Sequence, residues 1–352
     1  MKHLATLVLI ALTPVAARAT MANEPPPSNW RKGSYGASAY TEYFTTKANY
    51  GNSRGEFTRL IGDSTFSSLE TRIRGRYAVS PRYSFFAGAG MGYSRAIDTL
   101  AEKTNSSLTD IHAGLNFMAY RGWLRIVPEI MGGFPLDETN RTQTEPLTSD
   151  GVAYGRAGIH LFKPFKYLRV QTYTGLHIPA DGLAKRFLYE LAVEVPFGES
   201  IGIGASFNGY ETAFPDEIPQ IERLKTTTRA DSGSQRFFAW EPALMEARAW
   251  VGFRPDPGFT VRAGFGKTID GVRSAEGASF LLSFVFNRGE KSATPPKGPK
   301  LMPDPHEREE AVDKFEADTE QPDQQYFEDE APPVPTAKEA LDKAEKMLEK
   351  KK

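Results

Sequence analysis

The stretch FSSLETRIRGRYAVSPRYSFFAGAGMGYS, residues 66–94, decides the fold. In its first half Leu69, Thr71, Ile73, Gly75, Tyr77 and Val79 alternate with Glu70, Arg72, Arg74, Arg76 and Ala78. A period of two puts the sets on opposite faces of an extended chain, so this is a β-strand with one apolar and one charged face. Ser80-Pro81-Arg82 stops it. Tyr83, Phe85, Ala87, Ala89, Met91 and Tyr93 then alternate with Ser84, Phe86, Gly88, Gly90, Gly92 and Ser94. The product is a tall, regular hairpin with aromatic residues near its ends. A bilayer asks for this form: strands of ~9–11 tilted residues, apolar outside and polar inside.

The same alternation extends both ways. A first strand at about Gly33 to Thr46 sets Tyr35, Ala37, Ala39 and Tyr43 outward. Beyond the hairpin, Ile111 to Ala119 forms a fourth strand. A fifth sets Leu124, Ile126 and Ile130 outward and Trp123, Arg125, Val127 and Glu129 inward. The sixth and seventh put Arg156, His160, Arg169, Gln171, Tyr173 and His177 inside. The eighth has Phe187, Tyr189, Leu191, Val193 and Val195 outside and Glu190 and Glu194 inside. The ninth alternates from Ile201 to Phe207, the tenth holds Glu246, Arg248 and Trp250 inside, the eleventh holds Arg262, and the twelfth runs to Asn287. Short turns at Pro81, Gly122, Pro164, Gly198 and Pro257 alternate with mostly longer, polar links at 47–63, 98–106, 135–150, 179–184 and 213–235. The expected fold is all-β: a transmembrane antiparallel up-and-down β-barrel of about twelve strands spanning residues 33–287. Ten or fourteen are the alternatives, because the first strand and the long links are ambiguous. An even number closes the sheet, and closure is required where lipid leaves no partner for open backbone groups. If the first strand runs outward, both ends of the barrel lie in the periplasm.

The flanks differ in composition. Lys2 and His3, an apolar run from Leu4 to Leu12, and Ala17-Arg18-Ala19 read as a signal peptide, residues 1–19, with cleavage after Ala22 as the fallback. A Pro-rich lead follows at 20–32. Residues 288–335 form a Pro-rich, acidic linker: Asp304 to Glu330 has twelve acids against Arg308 and Lys314, which favours disorder. Thr336-Ala-Lys-Glu339 is a capping box opening a short amphipathic helix, 336–352. The 352 residues contain no cysteine, which excludes disulfides and thiol chemistry, and a net charge of −1 gives no support to nucleic-acid binding.

The chain resembles Gram-negative outer-membrane β-barrel proteins as a class. The resemblance covers the signal peptide and residues 33–287. The last strand, with Phe280, Leu282, Phe284 and Phe286, looks like the aromatic-rich terminal strand that barrel-assembly machinery recognises. The resemblance implies a cell outer-membrane location, contact with outer-membrane lipids and lipopolysaccharide, and that machinery as a partner during biogenesis. It implies no cofactor. The tail could reach a periplasmic protein or peptidoglycan.

The strongest constellation is the inward charge. Arg72, Arg74, Arg76, Arg125, Arg156, Arg169, Arg248 and Arg262 share the interior with Glu70, Glu129, Glu190, Glu194 and Glu246. One reading pairs them across strands in a hydrated lumen. The other makes the Arg72/Arg74/Arg76 ladder a basic strip that favours anions in a narrow pore. An enzyme would need a nucleophile, a base and an orienting group together. Asp110 and His112 share a strand face, and Ser94 or Ser106 could be near, but nothing in the sequence assembles them. No catalytic or metal residue is assigned. A passive pore for small solutes is the leading reading. A structural barrel anchoring its tail comes next, and an outer-membrane hydrolase last.

Overall fold

In a computed structural model the described residues are 31–139, 144–198, 200–256 and 258–288. The signal peptide, nearly all of the lead, the acidic linker and the terminal helix lie outside them. Twelve long strands follow one another: β1 Tyr35–Tyr50, β2 Thr65–Ala78, β3 Tyr83–Ile97, β4 Glu102–Phe117, β5 Arg125–Pro135 and β6 Tyr154–Pro164. Then come β7 Arg169–Pro179, β8 Lys185–Phe197, β9 Ile201–Phe214, β10 Ala243–Asp256, β11 Phe259–Val272 and β12 Ala275–Arg288. Each pairs antiparallel with its neighbours in sequence. β12 returns to β1, with Tyr35 opposite Arg288 and Asn49 opposite Ala275. The sheet is therefore closed and leaves no edge for lipid to meet. Two short strands, Phe57–Arg59 and Tyr120–Arg121, pair with β1 and β5.

The alternation in the sequence becomes two surfaces. Ile73, Ile111, Leu191, Phe207, Val251, Phe265 and Phe280 are exposed on the outside, while Glu42, Glu70, Glu129, Arg156, Glu246 and Arg248 are buried inside. Tyr35 leans on Phe286 and Tyr83 stacks on Phe117 near the turn ends of their strands, where an interfacial aromatic girdle belongs. Inward glycines make room for large neighbours. A Cβ at Gly204 would lie 2.3 Å from the Trp250 ring.

Three local readings are corrected. The link at 98–106 is a tight turn, Asp98 to Ala101, in which Asp98 Oδ1 accepts from the backbone of Leu100 and Ala101 at 2.8 Å each. β4 starts at Glu102, and a bulge between Leu108 and Asp110 shifts its register against β3. Its first half is polar on both faces, with Thr104 and Ser106 exposed and Asn105 and Ser107 half-buried, and so looked like a loop. Trp123, expected inside, is exposed in the turn between β4 and β5, with Lys163 Nζ 4.1 Å over its ring.

The third correction matters most. The long link after β9 is not a solvated loop. β9 runs on to Phe214, and a helix, α1 (Gln220–Ala230), follows. Phe237 and Phe238 then pack with Leu60, Phe66, Leu147, Leu183 and Ile218 in a core at the loop end of the barrel. Burying each such side chain contributes roughly 1.5–3 kcal/mol. The apolar run Phe237-Phe238-Ala239-Trp240, just past the polar stretch, was the signal for this inward fold.

Candidate functional site: the barrel interior

The interior divides by height. Towards the turn end, the described residues present Arg74, Arg76, Arg125, Arg169, Arg254 and Arg262, mostly half-buried, against Glu194. Glu194 sits in a fork: Arg169, its register partner on β7, donates at 2.7 Å, and Arg262 on β11 donates at 2.8 Å. Arg76 donates to Asn287 at 2.8 Å, and Arg74 lies 4.4 Å over the Phe86 ring. One carboxylate among these cations leaves this half of the interior basic.

Midway, charges are matched. Arg156 on β6 donates to Glu129 on β5 at 2.7 Å, and His160 Nε2 lies 3.5 Å from the same carboxylate. Arg72 on β2 reaches Asp110 on β4 at 3.4 Å. Arg248 donates to Glu246, its neighbour along β10, at 2.7 Å, and to Glu42 on β1 at 3.0 Å. Tyr40 also donates to Glu42 at 2.7 Å, and Ser279 donates to Glu246 at 2.7 Å. Fixed cross-strand pairs of this kind hold interior side chains in place.

At the loop end the network is completed from outside the sheet. Arg236, in the segment after α1, is buried and donates to both Glu42 and Glu70 while lying 3.9 Å over the Phe44 ring. Arg186 of β8 pairs with Asp150 of the link between β5 and β6 at 3.1 Å. Leu147 and Thr148 of that link are buried, and Thr148 bonds with Ser107. Two links therefore fold over the loop end of the interior and are bolted to its wall by ion pairs.

Every charged residue read from the sequence as inward stands on the inner face. Glu190, buried on β8, is the one of them with neither an ion pair nor a hydrogen bond among the described residues. The sequence reading missed Glu42, Arg186, Arg254, Asp150 and Arg236. Glu42 was legible, since Tyr43 had already been placed outward. Asp150 and Arg236 were not, because no strand period governs a loop.

Asp110 and His112 come together, but Ser94, the register partner of Asn105, is not brought to them. Asp110 Oδ1 and His112 Nδ1 are 2.9 Å apart, which would orient an imidazole. Its Nε2 faces Gly88, where a Cβ would stand only 2.6 Å away. Ser94 is fully buried and Ser106 points outward.

Among solved structures the chain is similar to an outer membrane channel from Pseudomonas putida F1, at a TM-score of 0.54 and 11% identity over 75% of this chain and 99% of that one. It also matches the NanC porin, at a TM-score of 0.42 and 8% identity over 71% and 98% of the two chains. No family model and no curated protein matches. At such identities the likeness is one of fold: the chain is a closed twelve-stranded barrel of the outer-membrane type.

Proposed function

We propose that this protein is an outer-membrane pore for small solutes, shut at its loop end by its own links. The carrying observation is the interior: a polar, half-exposed, basic stretch below and a folded, ion-paired cover above. A barrel serving only as an anchor has no need of the lower part. The basic half favours small anions, as rings of arginine do in other pores. The residues that line the route are Arg72, Arg74, Arg76, Arg125, Glu129, Arg156, Arg169, Glu190, Glu194, Glu246, Arg248 and Arg262.

The even strand number puts Tyr35 and Arg288 side by side at the turn end. Short turns face the periplasm in outer-membrane barrels, so both chain ends belong there. A periplasmic protein or the cell wall is then the partner proposed for the sequence after residue 288. The close filling of the loop end favours the second reading, a barrel that mainly anchors this tail. Planar-bilayer recording separates the two. The pore reading expects resolved conductance steps from the purified full chain. A folded, inserted barrel that stays silent even after the cover is loosened would leave the anchor reading in its place.

A further inference from the structure

Beneath the inward-folded links the barrel wall encloses a cavity of about 80 Å³. A single water takes roughly 10–15 Å³ on such a measure, so the space suits a solute of several heavy atoms. Four guanidinium groups and four carboxyl groups border it, so the wall is balanced in formal charge. Its hydrogen-bonding groups, however, are sorted by kind. On β8 and β9 stand acceptors. Glu190, 7% exposed, receives no hydrogen bond from any described residue, and its register partner Asn208, 8% exposed, has Oδ1 without a donor. On β6, β7 and the loop end of β8 stand donors. Arg156 Nε and Arg186 Nε are buried without acceptors, although other nitrogens of both are committed to Glu129 and Asp150. The hydroxyl hydrogens of Tyr154 and Tyr173 also find no acceptor. A buried donor or acceptor left unmatched costs about 1–3 kcal/mol, so this many on one small cavity calls for an occupant.

We propose that the cavity binds a small zwitterion, with its ammonium group at Glu190 and Asn208 and its carboxylate at Arg156, Arg186 and the two tyrosine hydroxyls. A zwitterion satisfies both sets of groups and adds no net charge to a wall that is already balanced. A lone cation would leave the donors unmet, and a lone anion would leave Glu190 unmet. The inference rests on the pore reading, within which this cavity is the selectivity site.

Isothermal titration of the full chain, folded in detergent, tests it with glycine as probe and methylammonium and acetate as its two halves. Glycine should bind, and each half should bind at least tenfold more weakly. Glu190→Gln should weaken glycine at least tenfold while heat-modifiable gel mobility confirms a folded barrel. If that variant does not fold, Asn208→Ala carries the test and should weaken glycine several-fold. Absence of glycine binding to the wild type overturns the proposal and leaves a hydrated cavity. Acetate binding as tightly as glycine, indifferent to the change at Glu190 or Asn208, also overturns it. Conductance is recorded separately. Current without glycine binding removes the site and keeps the pore, whereas binding without current keeps the site and removes the pore.

Discussion

Arg236, carried in by the link between β9 and β10, donates from Nε to Glu70 Oε1 on β2 at 3.1 Å. A second nitrogen of the same guanidinium reaches Glu42 on β1 at 2.6 Å. Glu42 and Glu70 are register partners. A guanidinium has the planar fork that can span two adjacent strands in this way, and an ammonium does not. This one side chain thereby ties the link after α1 to two adjacent strands of the wall.

Removing that side chain takes the guanidinium away from buried Glu70 and leaves Glu42 with Arg248 and Tyr40. Arg236→Ala should therefore cost about 3–5 kcal/mol in barrel stability, the usual penalty for breaking a buried pair from one side. It should also loosen the cover and raise mean conductance several-fold. Arg236→Lys should recover part of each effect. If the alanine variant keeps both its thermal midpoint and its conductance, the fastening role is wrong.

The lipid face gives a sharper test of register. Leu191 is exposed on the outside of β8, between the buried Glu190 and Ala192. Leu191→Arg should cost roughly 2–4 kcal/mol if the position is near mid-bilayer. Refolding into lipid vesicles followed by urea titration measures the change. A cost near zero would place Leu191 in water and overturn the facing argued from the alternation.

Most of the wall was legible because a strand in a bilayer obeys a strict rule. Thr71, Ile73 and Gly75 could face only one way once Arg72 and Arg74 faced the other. Strand number followed, since each polar interruption had to be a turn. Legibility ended where that rule ends. The bulge between Leu108 and Asp110 reset the faces of β4, and an even alternation carried through it reads the wrong side. The cover was hidden for a different reason. Arg236 and Asp150 are placed by tertiary contacts far along the chain, and local spacing does not encode which loop turns inward. Glu194 lay between these cases. Its inward face was plain, but its fork with Arg169 and Arg262 joins strands β7, β8 and β11 and needs the closed ring.

The basic turn-end half predicts ion preference. Replacing Arg74, Arg76 and Arg262 together with glutamine removes three cations and leaves Glu194 with Arg169. The reversal potential in a salt gradient should then move towards cation selectivity, and the shift should shrink at high salt as screening grows. Wild-type channels that already prefer cations, with no movement in the variant, would contradict an anion-favouring entrance.

Asp231, at the C-terminal end of α1, predicts how the cover responds to pH. It is fully buried, and the backbone N–H of Leu147 donates to its Oδ1 at 2.7 Å while Oδ2 has no partner. Burial pushes its carboxyl well above the ordinary carboxylate value, and the Leu147 bond only partly opposes this. The folded form therefore favours the proton. The stability this contributes is complete below the ordinary value of about 3.9 and is lost as pH rises through the raised one. Rising pH should thus weaken the fastening between the 144–152 segment and the end of α1. Asp231→Asn keeps an acceptor for Leu147 and removes the ionising group, so it should hold the cover steady across the same range. Hydrogen exchange at Leu147 and its neighbours, compared between wild type and variant at each pH, isolates the effect from the intrinsic pH dependence of exchange. The wild type should lose protection relative to the variant as pH rises. Parallel profiles would show that Asp231 does not set the stability of the cover.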